Sequence, residues 1–216
     1  MYKAIVWDLD GTVLDTLYDL WASVNAALSA HGMPARSYEE VRAILGNGML
    51  NLLSRAVPEG TSEEKLSAVL ETYVPYYKAH MEDHTAPYPG VLPMLDTLRE
   101  KGVKLAVVSN KADIHTKGLL QKYFGDRITV GVGAREGVPI KPAPDAVFAA
   151  LREMGVAPSE AAFVGDTEVD VATGKNAGMD VYAVSWGFRS EEQLREAGAE
   201  RIFGDAESLL AALLAE

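Results

Sequence analysis

From about residue 90 onward this chain alternates short apolar runs with stretches of helical spacing, and that rhythm leaves few folds open. Runs at 103–109, 128–132, 161–165, 181–185 and 201–203 read as strands. Helical spacing follows them at 113–123, 144–154, 169–177, 191–197 and 206–214. Strands alternating with helices imply right-handed βαβ units and a parallel sheet covered on both faces. The N-terminal run, Lys3-Ala-Ile-Val-Trp-Asp8, reads as one more buried strand.

The region before residue 83 has a different rhythm. Leu17, Leu20, Trp21, Val24, Ala27 and Leu28 carry helical spacing over 16–31, and Gly32-Met-Pro34 ends it. Ser37 with Glu40 reads as a capping box opening a second helix. Gly46-Asn47-Gly48 interrupts it, and a third helix is expected over 49–57. Thr61 with Glu64 reads as another capping box, opening a long helix in which Pro75 would kink the axis. The expected architecture is therefore α/β: a Rossmann-like parallel sheet core of residues 1–15 and 83–216, with a small all-helical cap inserted over 16–82. In such open sheets, ligands bind at the carboxyl ends of the strands, where the insert departs.

Bulk composition narrows the function classes. At 216 residues the chain suits one domain, or one domain carrying an insert. It has no cysteine, which removes disulfides, thiolate metal sites and cysteine nucleophiles, and fits a cytoplasmic setting. The first residues lack a leader-type apolar core, and no run is long enough for a membrane span. A net charge of −11 argues for solubility and against nucleic acid as a partner. An acidic protein can still bind an anion if a divalent cation sits between them. Monomer and homodimer are both compatible with the sequence.

Four features that follow predicted strands could carry chemistry. Asp8-Leu9-Asp10-Gly11-Thr12 places two carboxylates at a strand end, a costly arrangement unless a cation or proton relieves it. Its plainer reading is a polar turn. Ser109, followed by Asn110 and Lys111, offers a hydroxyl and backbone amides suited to a phosphate oxygen, or simply a helix cap. Lys141, between Ile140 and Pro142, sits on restricted backbone and could neutralise two anions, or be a solvated loop lysine. Gly165-Asp166-Thr-Glu-Val-Asp170 puts two carboxylates at the next strand-to-helix turn, where the helix dipole also favours Asp170.

Taken together, the order and spacing of these four resemble the haloacid dehalogenase superfamily, and the resemblance covers the whole chain, insert included. It implies phosphatase chemistry through a phospho-aspartyl intermediate, with Mg²⁺ as cofactor. Asp8 would be the nucleophile and Asp10 the general acid, then base. Ser109 and Lys141 would hold and neutralise the phosphoryl group, with Thr12 and Asn110 beside them. Asp8, the Asp10 backbone carbonyl and Asp166 would bind the metal, and Asp170 would orient its waters or Lys141. Keeping Asp10 favours phosphate over dehalogenase chemistry.

Leu45-Gly-Asn-Gly48, Pro89-Gly-Val91, Val108-Ser-Asn-Lys111 and Val184-Ser-Trp-Gly-Phe188 further resemble phosphoglycolate phosphatases. A small phosphorylated metabolite, 2-phosphoglycolate first, is the expected substrate. Pyrophosphate, nucleotides and sugar phosphates are alternatives, as are a phosphomutase and, last, a non-catalytic binding protein on the same scaffold. Asn47 and Gly48 are candidates for reading the substrate, and equally for an ordinary inter-helix turn. Trp186 and Arg189 follow another strand end; they could lie near the entrance of the site, but read first as structural or surface residues. The four histidines show no ligand spacing.

Overall fold

The computed structural model describes residues 1–215. The chain opens with β1 (Ala4–Trp7) and β2 (Leu14–Asp15), then four helices: α1 (Leu17–Ala30), α2 (Tyr38–Ile44), α3 (Gly48–Ala56) and α4 (Glu63–His80). β3 (Ala86–Pro87) and α5 (Val91–Glu100) follow. After them come β4 (Lys104–Ala112), α6 (Asp113–Tyr123), β5 (Val130–Ala134), α7 (Asp145–Met154) and β6 (Ala161–Gly165). The chain ends with α8 (Glu168–Asn176), β7 (Asp180–Val184), α9 (Glu191–Glu196), β8 (Ile202–Phe203) and α10 (Ala206–Leu214). It divides into two compact units: Met1–Leu14 with everything from Pro87 onward, and Asp15–Ala86.

The first unit is the α/β body. Its six-stranded sheet runs β5-β4-β1-β6-β7-β8 and every pairing is parallel. β1 lies between β4 and β6, so the order reverses direction there, which is where an open α/β sheet forms its crevice. All four residues of β1 are buried, as expected of a strand covered on both faces. One face packs Ile5, Trp7, Leu105 and Val107 against Met94, Leu95 and Leu98 of α5 and Leu209 and Leu213 of α10. The other packs Val6, Val108 and Phe163 against Val147, Ala150 and Leu151 of α7. Burying a side chain of this size contributes ~1.5–3 kcal/mol, so the strand ends rest on a fixed platform.

Three differences from the sequence expectation have local causes. α5 is an added helix: Val91, Met94, Leu95 and Leu98 keep i, i+3, i+4, i+7 spacing, and Gly90 starts it at φ +79°. The fifth strand begins at Val130 rather than 128, because Gly125–Arg127 form a 3₁₀ turn and Arg127 is held by both Asp96 oxygens. β4 runs on to Ala112, and its register against β5 shifts between Val108 and Ala112. The segment Ser109-Asn110-Lys111 lies on that irregularity, where a bulge redirects side chains.

The second unit is helical, as the spacing predicts. Ser37 and Glu40 form the capping box: Glu40 N–H donates to Ser37 Oγ at 3.2 Å and Ser37 N–H to Glu40 Oε2 at 2.7 Å. The cap of α4 is Ser62, not Thr61. Lys65 N–H donates to Ser62 Oγ, while the Thr61 hydroxyl donates to the Pro58 carbonyl. α4 continues through Pro75 to His80. Asp19 on α1 is buried and accepts from His84 N–H, Thr85 N–H and the Thr85 hydroxyl at 2.8–3.1 Å, tying the end of this unit to its first helix. β2 and β3 form a two-stranded sheet that the sequence spacing does not announce. Among the described residues, no helix is long and apolar enough to cross a membrane.

Candidate active site

The sheet order explains why distant motifs meet. Neighbouring strands lie about 4.8 Å apart, so residues just past the ends of β4, β1 and β6 become neighbours whatever their sequence separation. Asp8 follows β1, Ser109–Lys111 lie at the end of β4, and Asp166 follows β6.

Lys141, from the loop after β5, is the hub. Its ammonium is buried and donates to Asp8 Oδ1 at 2.5 Å and to Asp170 Oδ1 at 2.7 Å. The plainer reading of a solvated loop lysine does not hold. Burial works against its charge, but Asp170 and Asp8 more than offset this and hold its pKa above the ordinary lysine value.

Asp8, Asp166 and Asp170 each offer a carboxylate oxygen, and these oxygens lie within 4.8 Å of one another. Burial first, then the charge of Asp170, push the Asp8 carboxyl up to about 7, against Lys141. Burial, Asp170 and Asp8 likewise hold Asp166 well above the usual carboxylate range. Three buried carboxylates facing one buried ammonium carry an excess of negative charge that a divalent cation would neutralise. A hard ion such as Mg²⁺ prefers oxygen donors and binds through one or two carboxylates plus waters. The donor set fits.

The carboxylates are not equivalent. Asp166 accepts from the Thr12 hydroxyl at 2.7 Å and from Phe188 N–H at 2.8 Å, one bond per oxygen, leaving lone pairs on each for an ion. Asp170 is occupied more fully. Its Oδ2 accepts from Asp166 N–H, Thr167 N–H and the Thr167 hydroxyl, and its Oδ1 holds Lys141. That pattern suits an orienting group more than a ligand. Glycines supply the room. A Cβ on Gly11, whose φ is +93°, would lie 2.3 Å from Asp166 Oδ2, and one on Gly165 would lie 2.2 Å from Asp170 Cβ. A Cβ on Gly187 would lie 2.2 Å from the Gly11 carbonyl.

The other expected site residues have partners of their own. Asp10's carboxylate lies outside the three-carboxylate cluster. It accepts from Lys111 Nζ at 2.6 and 2.8 Å, one bond to each oxygen. Ser109 is buried and its Oγ accepts Lys111 N–H at 3.1 Å; it caps no helix, since α6 begins after Ala112. The Asn110 side chain faces Lys141: its Nδ2 donates to the Lys141 carbonyl at 3.1 Å and its Oδ1 accepts Lys141 N–H at 2.8 Å. Thr12 is turned to Asp166. Asn47 and Gly48 belong to the helical unit: Asn47 precedes α3 without a side-chain cap bond, and Gly48 opens it at φ +79°.

Sequence reasoning gave Lys111 no role of its own, and the loop after β7 lies closer to the site than a surface reading implies. Trp186 Nε1 donates to the Thr12 carbonyl at 3.0 Å, and Arg189, buried, grips both oxygens of Glu168 at 2.7 and 3.0 Å. Trp186 thus ties this loop to the turn that carries Thr12, and Arg189 ties it to the start of α8. The signal for Lys111 was its position two residues past Ser109.

The fold and this set of strand-end residues define a class. Residues 5–184 match the family model described as haloacid dehalogenase-like hydrolase, and the chain belongs to that family; it is a phosphatase. Among its relatives, a phosphoglycolate phosphatase from Haemophilus influenzae is 32% identical over 220 residues, covering 98% of each chain. Phosphoglycolate phosphatase 1 from Pseudomonas aeruginosa is 31% identical over 216 residues, covering 96% of this chain and 78% of its own. A solved structure of a provisionally named phosphoglycolate phosphatase from Lactobacillus delbrueckii subsp. bulgaricus superposes with a TM-score of 0.95 at 35% identity, covering 100% of this chain and 99% of the other.

Proposed function

We propose that the chain hydrolyses a small phosphomonoester, 2-phosphoglycolate, through a phosphorylated Asp8, with Mg²⁺ bound by Asp8, Asp166 and the Asp10 backbone carbonyl. The observation that carries this reading is the ammonium of Lys141, buried and bonded to Asp8 beside a cluster of carboxylates. A carboxylate approaching a phosphate dianion is repelled. Lys141 offsets part of that repulsion and aims the Asp8 oxygen. When bound, Mg²⁺ supplies further charge neutralisation of the transferring phosphoryl group.

In the first step, Asp8 forms a bond to phosphorus, the ester P–O bond breaks, and Asp10 gives its proton to the leaving oxygen. In the second, water attacks the same phosphorus, Asp10 takes the water's proton, and Asp8 is released with orthophosphate. Ser109 and the backbone amides beside it hold the phosphoryl oxygens. Substrate choice is assigned to the helical unit, Asp15–Ala86, with Asn47 and Gly48 as its candidate residues. The phosphoglycolate phosphatase names of these relatives support the choice of substrate.

The test is orthophosphate release with Mg²⁺ across 2-phosphoglycolate, pyrophosphate, nucleotides and sugar phosphates. 2-Phosphoglycolate is expected to give the highest kcat/KM, with no bisphosphate activator needed. Asp8→Asn should abolish turnover. Asp10→Asn should keep the fold and lose about 10²–10⁴-fold in kcat. Near parental turnover in Asp10→Asn rejects the mechanism, and a better sugar phosphate or pyrophosphate rejects the substrate.

A further inference from the structure

Lys111 is absent from the roles set out above, yet it is one of the most constrained cations in the α/β unit. Its side chain is 6% exposed, and its ammonium reaches both oxygens of Asp10, at 2.6 and 2.8 Å. Its backbone is fixed from both sides. The N–H donates to Ser109 Oγ at 3.1 Å, and the carbonyl accepts the Thr116 hydroxyl at 3.2 Å. β5 passes close beneath it: a Cβ on Gly133 would lie 2.7 Å from the Lys111 carbonyl oxygen. Holding a long, flexible lysine this tightly costs side-chain entropy.

We propose that Lys111 selects substrates whose leaving group carries an anion next to the ester oxygen. The inference rests on the assignment of Asp10 as the group that protonates that oxygen. A general acid must lie within hydrogen-bond reach, about 2.6–3.2 Å, of the oxygen it serves. Whatever is attached to the ester oxygen therefore enters the surroundings of Asp10, and hence of Lys111. In 2-phosphoglycolate a single carbon separates the ester oxygen from a carboxylate. Without Lys111 that carboxylate would lie beside the acidic side chain of Asp10 with no cation to meet it, which disfavours binding. With Lys111 gripping Asp10, it meets a cation instead. A neutral alcohol leaving group gains nothing from the same ammonium.

The experiment compares substrate pairs in which one member has a carboxylate and the other a neutral group: 2-phosphoglycolate against ethyl phosphate, and 3-phosphoglycerate against glycerol 3-phosphate. The readout is the ratio of kcat/KM within a pair for the parent, Lys111→Met and Lys111→Gln, with circular dichroism confirming the fold. Any loss that comes through disturbing Asp10 falls on both members and cancels in the ratio. The expected result is a parent preference for the anionic member that falls at least about tenfold in both variants, mostly through KM. An unchanged ratio overturns the inference and leaves Lys111 as a support for Asp10. A parent enzyme that prefers 3-phosphoglycerate, with the preference lost in the variants, rejects 2-phosphoglycolate and keeps the role of Lys111. A parent with no anionic preference in either pair rejects both.

Discussion

At the scale of single residues, the site depends on side chains that hold other site residues in place. Asn110 makes two hydrogen bonds to the peptide of Lys141, as an adjacent strand would, and Asn176 Nδ2 donates to the Pro142 carbonyl at 2.9 Å. Lys141 sits in an irregular loop, so its aim at Asp8 comes from these amides and from Asp170. A misplacement of about 1 Å can cost ~10²-fold in rate. Asn110→Ala is therefore expected to lower kcat for 2-phosphoglycolate by about 10–100-fold while leaving KM near the parent value, because a loosened Lys141 weakens the transition state more than the bound substrate. Steady-state kinetics separate this from the reading in which Asn110 binds phosphate directly. That reading requires a raised KM with kcat retained.

At the scale of elements, Asp113 joins the start of α6 to β5. It accepts Gly133 N–H at 2.9 Å and Arg135 at 3.0 Å, and pairs with Lys117 one turn on at 2.9 Å. Burial alone would raise its pKa. Lys117, Gly133 N–H and Arg135 together outweigh burial and hold it down to about 2. The folded value lies below the unfolded 3.8, so this stabilisation is present above pH 3.8 and is lost as pH falls through about 2. Asp113→Asn is expected to cost on the order of 1–2 kcal/mol near neutral pH, less at high salt, and to cost little near pH 2. Urea unfolding of both proteins at the two pH values measures it. A penalty that persists at low pH means the carboxylate's charge is not the cause.

Elements of this kind also set what the sequence could disclose. α6 and β6 are legible because their apolar spacing and bounding turns lie within a dozen residues. β2 and β3 have two residues each, too short for any periodicity, and their pairing joins positions about seventy residues apart. The same split runs through the site. Asp8 and Asp166 stand out by residue type just past strand ends, and Lys141 and Asp170 in the loop and helix that follow β5 and β6. The partners of Asn110 and Lys111 are 31 and 101 residues away, so their orientation follows from the β4 register shift and the strand order, which no local pattern encodes. The cap of α4 moved from Thr61 to Ser62 because the Thr61 hydroxyl found the Pro58 carbonyl first.

For the whole molecule, the decisive quantity is the charge buried at the heart of a body that already carries a net −11. Asp8 and Asp166 are both raised by burial and by neighbouring carboxylates. For a carboxyl whose folded pKa lies above its unfolded value, stability is fully present below the unfolded value and is lost as pH rises through the folded one. With Asp8 at about 7 against 3.8, the window for the cation-free protein runs from about pH 4 to just above 7. Asp113 acts with the opposite sign but lower down, and is fully ionised before this window is half crossed. Chelated protein should therefore melt at progressively lower temperature from about pH 5 to about pH 8. A divalent cation such as Mg²⁺ would bind the ionised carboxylates, so its stabilisation should grow over the same interval. At 100 times its dissociation constant a ligand adds about 2.7 kcal/mol, which for a chain of this length is on the order of 5–10 °C. Thermal melts with EDTA and with excess Mg²⁺, taken across that range, give two curves that should separate toward pH 8. Curves that stay parallel would place the pH dependence on the surface charge and not on the carboxylates around Lys141.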